Sequence, residues 1–146
     1  MKILIAGSRN ATDAMLEYAQ TIVEVAYNEN YKCTIVSGDN PQGVDAAVVE
    51  TATLYGIDLY VYGVQPGARN KNVPEWAYHE LSVFSGTRRE QYYARDRWMC
   101  EQAHIGYFVW NGTSPGTKTG YDYMAALPGK SVVLVNQHGQ VIERTN

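Results

Sequence analysis

Five short apolar runs, KILIA at 2–6, CTIVSG at 33–38, IDLYVYGV at 57–64, IGYFVW at 105–110 and SVVLV at 131–135, alternate with stretches of helical periodicity. This alternation constrains the fold more than any other feature. Runs that are apolar throughout, rather than alternating with polar residues, mark strands covered on both faces. Between the first two runs, Met15, Tyr18, Ala19, Ile22, Val23 and Ala26 form one helical stripe, opened by Thr12 or Asp13 as N-cap and ending near NEN at 28–30. Between the second and third runs, Val44, Ala47, Val48, Ala52 and Tyr55 form another, stopped by Gly56. Apolar strands joined by helices of about ten residues imply parallel pairing with right-handed crossovers. The expectation is one doubly wound α/β domain over residues 1–146, with a mostly parallel five-stranded sheet and a C-terminal hairpin in which NQHGQ turns onto VIERT.

The stretch 65–86 has two prolines, two glycines and two asparagines among aromatics, and reads as the longest irregular segment, with Trp76 and Tyr78 as lid candidates. Thr87 and Glu90 form a capping-box pattern, so a helix is expected from there to about His104, carrying Arg88, Arg89, Arg95 and Arg97. A length of 146 residues suits one core, and a net charge of −3 provides no global field for nucleic acid or anionic lipid. MKILIAGSRN is too short in apolar residues for a secretory or spanning segment, so a cytoplasmic protein is expected. Cys33 and Cys100 belong to no C-x-x-C pattern and read as buried free thiols. His79, His104 and His138 share no metal-ligand spacing, so neither a metal nor a cofactor is expected.

In open α/β sheets, ligands bind beyond the carboxyl ends of the strands. Three of those ends are alike: GSR at 7–9, SGDNPQGVD at 37–45 and WNGTSPGT at 110–117. Each is rich in glycine and polar side chains and each leads into a helix. Glycine permits close backbone approach, and free N–H groups at a helix start carry partial positive charge, so the natural guest is an anion. Neither a Walker loop nor G-x-G-x-x-G spacing is present.

These residues resemble the SMF/DprA and LOG nucleotide-binding superfamily, called SLOG, particularly its small YspA-like members with their Rossmann-like fold. The likeness lies in IAGSR, in SGDNPQGVDAAVVETATLYGI and in NGTSPGT, and spans most of the chain. It implies a nucleotide pocket lined by Gly7, Ser8, Arg9, Ser37, Gly38, Gly43 and Asp45, with Asn111, Gly112, Thr113, Ser114, Gly116 and Thr117 around a phosphate. LOG enzymes, phosphoribohydrolases, carry an Arg four residues before a Met on the preceding helix, and Arg95 and Met99 match that spacing. Their Glu three residues after Gly-Thr is here Gly120, and Asp122 lies about 200° around the helix from it.

The residues admit three functions. The first is a module that binds a nucleotide or nucleotide-derived signal without turnover. The second is an N-glycosidic bond hydrolase, LOG-type or deoxyribosyltransferase-like, in which Arg95 acts with a carboxylate from Asp45, Asp39 or Asp122. The third is a protein or DNA-interaction module resting on the four arginines at 88–97, which the acidic net charge opposes. Arg95 and Arg9 compete with surface roles, Asp45 with simple dipole stabilisation, and Tyr92, Tyr93, Trp98 and Trp110 with core packing. A homodimer is expected from the aromatics and the edge strand.

Overall fold

The computed structural model describes residues 1–29, 32–81 and 85–145. The chain runs β1 (Lys2–Gly7), α1 (Asp13–Glu29), β2 (Thr34–Gly38), α2 (Gly43–Tyr55), β3 (Asp58–Gly63), β4 (Tyr78–Glu80), α3 (Arg88–Gln102), β5 (Ile105–Val109), α4 (Pro115–Ala125), β6 (Ser131–Val135) and β7 (Val141–Thr145). The strands form one sheet in the order β4-β3-β2-β1-β5-β6-β7, parallel throughout except for the antiparallel β6–β7 hairpin. The doubly wound α/β fold is therefore present, with seven strands where five and a hairpin strand were expected.

The additional strand is β4, within the segment expected to be irregular. Its three residues pair with β3 at Val61↔Tyr78, Tyr62↔His79 and Gly63↔Glu80. A single turn of 3-10 helix, Glu75–Ala77, leads into it. Tyr78 is no lid, because it lies in this edge strand and its hydroxyl donates to the Gln65 carbonyl. Trp76 is 59% exposed on the 3-10 turn. Residues 82–84 of the expected loop lie outside the described residues, as does Asn30 at the expected end of α1. α3 starts with the expected capping box, Thr87 and Glu90 each accepting from the other's amide, and ends at Gln102, two residues short of expectation.

Each sheet face supports a core. One is built from β1, β2, β3, α1 and α2, with Ile5, Met15, Val23, Ile35, Val48 and Leu59 wholly buried or nearly so. The other joins the sheet to α3 and α4 through Leu4, Val36, Met99, Phe108, Met124 and Leu134. Each such side chain contributes roughly 1.5–3 kcal/mol relative to exposure. The chain winds outward from β1 to β3, then returns to place β5 on the other side of β1. That reversal splits the loops after β1 and β5 and opens a crevice at their carboxyl ends.

Two glycines distinguish conformational from steric need. Gly56 ends α2 at φ 71°, and a Cβ there would meet open space. Gly43 begins α2 at φ 73°, where a Cβ would lie 2.3 Å from the Ser8 carbonyl oxygen and 2.4 Å from that of Arg9. The left-handed conformation alone costs an alanine about 1–2 kcal/mol. In urea unfolding, Gly56→Ala should lose about that much and Gly43→Ala at least twice as much, because the backbone at 8–9 has to move. Equal losses would show that α2 does not press on the loop after β1.

Candidate functional site

A cavity of about 300 Å3 lies at the crevice between the ends of β1 and β5. Its floor is Leu4, Ala6, Met99, Cys100 and Phe108, and its rim carries Ser8, Arg9, Asn40, Asp45, Arg95, Asp96, Ser114, Gly116, Thr117 and Gly120. Of the residues expected from sequence, Gly7, Ser8, Arg9, Asp45, Arg95, Met99, Ser114, Gly116 and Thr117 line it together. Ser37, Gly38, Gly43, Asn111, Gly112 and Thr113 do not.

Those six shape the rim from behind. The Ser37 hydroxyl donates to the Ile5 carbonyl at 2.9 Å, and a Cβ at Gly38 would lie 2.7 Å from Asp45 Oδ2 and 3.0 Å from Arg95 Nη1. Gly43 lets α2 start against Ser8 and Arg9. Asn111 ties the loop after β5 to itself: its Oδ1 accepts from the Thr113 amide, the Thr113 hydroxyl and the Ser114 amide, while its own amide donates to Ser8 Oγ. Gly112 supplies the turn at φ 91°. Trp110 is fixed by its indole N–H, which donates to the Ser114 carbonyl.

One end of the cavity gathers hydrogen-bond donors at a helix start. No side chain caps α4, which begins with Pro115, and Gly116 and Thr117 of its first turn line the cavity there. The hydroxyls of Ser8, Ser114 and Thr117 form a chain with Oγ–Oγ 2.7 Å and Oγ–Oγ1 3.1 Å. Free amides at a helix start, with hydroxyls beside them, suit phosphate, sulfate or carboxylate. Arg9 stands exposed at the rim, and no ion pair involves it among the described residues.

The opposite wall, with Arg95 and Asp96 on it, is backed by an ion cluster centred on the buried Asp39. Asp39, with no exposed surface, accepts from Arg69 Nε at 2.9 Å, Arg69 Nη2 at 2.8 Å and Arg95 Nη1 at 3.0 Å through Oδ1, and from the Arg69 amide through Oδ2. Arg95 also donates to the Tyr62 carbonyl and, through Nε and Nη2, to Asp96 at 3.1 and 2.8 Å. It thus makes four hydrogen bonds from a group with five N–H donors. Burial pulls its pKa down, but Asp96, Asp45 and Asp39 together outweigh that and raise it. Both guanidiniums lie over the Tyr92 ring, at 4.0 and 4.9 Å from its centroid. Arg95 is accordingly a wall element already engaged by protein, whereas Arg9 is the cation of the lining with no ion pair among the described residues.

Sequence reasoning missed Arg69, Asn40 and Asp96 altogether and weighed Asp39 only as a catalytic carboxylate. The four arginines of the 88–97 stretch do not form one basic face. Arg95 points inward, Arg88 donates to the Val64 carbonyl and Arg89 to the Tyr93 hydroxyl. Asp122 lies off the cavity and pairs with Lys118 at 2.7 Å. Where LOG enzymes carry Glu, a Cβ on Gly120 would lie 2.9 Å from the Phe108 ring, so that ring occupies the space a side chain would need. The Cys100 thiol donates to the Gly120 carbonyl, and burial, with Asp96 and Glu101, pushes its pKa up to about 12, which leaves it a poor nucleophile. Both cysteines are free and buried. Among the described residues, no group of three or more His, Cys, Asp and Glu is placed to hold a metal ion, and no helix is long and apolar enough to cross a membrane.

Asp45 differs from its neighbours. It lies on the first turn of α2 with only long contacts, to the Ser37 hydroxyl at 3.5 Å and the Asn40 amide at 3.4 Å. Burial pushes its pKa up to about 6, against the pull of Arg95. Because the folded value exceeds the unfolded one, Asp45 favours the fold most when protonated, and this contribution is lost as pH rises from about 4 through about 6. Asp45→Asn removes the titration. In urea unfolding between pH 4 and 8, the stability of the variant minus that of the parent should climb by about 2–3 kcal/mol across that window and then level off. A constant or falling difference would show that Asp45 is not held in its neutral form.

The sequence matches no protein-family model, and no curated protein is significantly similar to it. Solved structures are similar in fold. The molybdenum cofactor binding protein of Rippkaea orientalis superposes with TM-score 0.65 at 20% identity, over 92% of this chain and 76% of that one. The Moco carrier protein of Chlamydomonas reinhardtii gives 0.60 at 18%, over 93% and 76%. DNA processing protein A of Helicobacter pylori, described for its single-stranded DNA binding mode, gives 0.66 at 20%, over 92% and 65%. At these identities the likeness is one of architecture, and it identifies the chain as a single-sheet, Rossmann-like α/β protein of the kind found in those carrier and processing proteins.

Proposed function

We propose that this protein is a binding module of the SLOG type that holds a nucleotide or nucleotide-derived ligand in the crevice between β1 and β5 without turning it over. The observation that carries this reading is the cavity, with an anion-accepting end at α4, an apolar floor and a charged wall. A volume of about 300 Å3 lies at the lower end of the range for small-molecule sites. The neighbouring structures support a carrier or sequestering role, since two of them are described as binding or carrying the molybdenum cofactor.

The hydrolase alternative needs a carboxylate close to an anomeric carbon. Asp39 is enclosed by guanidiniums, Asp122 is off the cavity and position 120 has no side chain. Asp45 remains as the carboxylate that this alternative requires, and Asp96 joins it on the lining. The DNA-binding alternative draws support from the Helicobacter pylori structure alone, and a steep loss of affinity with salt would be its signature.

The test is a panel of nucleoside monophosphates, NAD, ADP-ribose and cyclic nucleotides, with thermal shift and free-base release read in the same samples. A binder at 100 times its Kd should stabilise the protein by about 2.7 kcal/mol and be recovered intact. Arg9→Gln should abolish the shift while leaving the unliganded stability within about 0.5 kcal/mol of the parent, as is usual for an exposed residue. Released base would establish a hydrolase, and a panel with neither response would refute the nucleotide reading.

A further inference from the structure

We propose that the cavity takes up a proton together with its anionic ligand, and that Asp45 receives it. The inference rests on the reading of the cavity as an anion site and concerns how that site is regulated. The charged groups that act on Asp45 are Arg95 and Asp96 from α3 and Arg69 from the segment after β3, and Asp39, at the end of β2, joins the cluster through its bonds to Arg69 and Arg95. Arg9 adds a charge at the rim from the loop after β1, and no charged residue of α4 lines the cavity.

Three carboxylates, Asp39, Asp45 and Asp96, thus meet two guanidiniums, Arg69 and Arg95, in the inner cluster. With every group ionised, the cluster carries one excess negative charge on the wall of a cavity that an anion is to enter. Asp39 and Asp96 each accept guanidinium bonds of 3.1 Å or less, so their charges are matched. Asp45 has no ion pair among the described residues and only the two long contacts to Ser37 and Asn40.

Repulsion between like charges is stronger away from bulk water, so an incoming anion acts most on the unmatched carboxylate. Protonation removes that repulsion and turns an acceptor into an O–H donor that can face the ligand. By reciprocity, anything that protonates Asp45 tightens anion binding by the same factor. Burial already pushes the pKa of this group up to about 6, so the exchange falls in a range that cells reach.

Phosphate monoesters themselves titrate near pH 6, so the probe is inorganic sulfate, which keeps its charge. Its binding is followed by NMR titration at constant ionic strength from pH 5 to pH 8, on the parent, Asp45→Asn and Arg9→Gln. Parent affinity should fall by about tenfold over that range. Asp45→Asn should hold the affinity of the parent at pH 5 throughout, and Arg9→Gln should bind weakly everywhere. A flat parent profile, or a slope that survives in Asp45→Asn, overturns the proton coupling and leaves the anion site standing. Sulfate that binds nowhere, or that is indifferent to Arg9→Gln, overturns both. Should Asp45→Asn fail to fold, calorimetry of the parent in buffers of different ionisation enthalpy decides the matter: net proton uptake supports the coupling and zero uptake overturns it.

Discussion

A carboxylate with no exposed surface, Asp39, is reached by two guanidiniums, and the carboxyl edge of the sheet is arranged to make that possible. Burying ions is costly unless each finds short, well-directed partners, so such a cluster tolerates little displacement of the elements that supply them. Arg69 is contributed by the segment after β3, Arg95 by α3, and the carboxylate by the end of β2. Asp39 also accepts from the Asn70 amide through its own carbonyl. Two strand-end glycines fit around the cluster: a Cβ at Gly38 would press on Asp45 and Arg95, and one at Gly63 would lie 2.7 Å from Asp39 Oδ2. The positions of β2, β3 and α3 at the cavity are therefore set by one electrostatic requirement rather than by apolar packing alone.

The cavity inherits its polarity from that arrangement. Asp96 and Arg95 are occupied with each other on the wall, Met99 and Cys100 continue the same helix into the floor, and the hydroxyls of Ser8, Ser114 and Thr117 stand at the start of α4. A guest meets cations already matched on one side and unmatched N–H and O–H groups on the other. The proposed function follows from this separation: charge at α4, and an apolar floor of Leu4, Ala6 and Phe108 beside it.

Much of this was legible in the sequence, for reasons that can be traced. Strands buried on both faces announce themselves as continuous apolar runs, and the order of the loops after β1, β2 and β5 follows from parallel winding, so nine expected site residues converge on one cavity. β4 was not legible, because YHE carries neither alternation nor an apolar run and gains its strand geometry only from pairing with β3. Arg69 was hidden for a different reason: its partner is 30 positions away, and a loop arginine carries no local signal of burial. The inward direction of Arg95 did have a signal. It lies one helical turn from Met99, on the face that enters the core, and an arginine on such a face needs carboxylates nearby.

Gly120 is the position at which this chain departs from the motif that LOG enzymes carry. Its missing side chain is matched by the Phe108 ring, which leaves no room for the carboxylate that LOG enzymes place there and which stacks edge-on with Tyr121 at 82°. A Glu at 120 would thus require the Phe108 ring to shift, so the two positions are coupled. On the facing helix, the carboxylate of Asp96 is held by Arg95, and the Cys100 thiol turns to the Gly120 carbonyl. Beside Gly120, the cavity lining therefore consists of a ring, a neutral thiol and a carboxylate already paired with Arg95, so no unpaired ionised side chain stands on that stretch of wall.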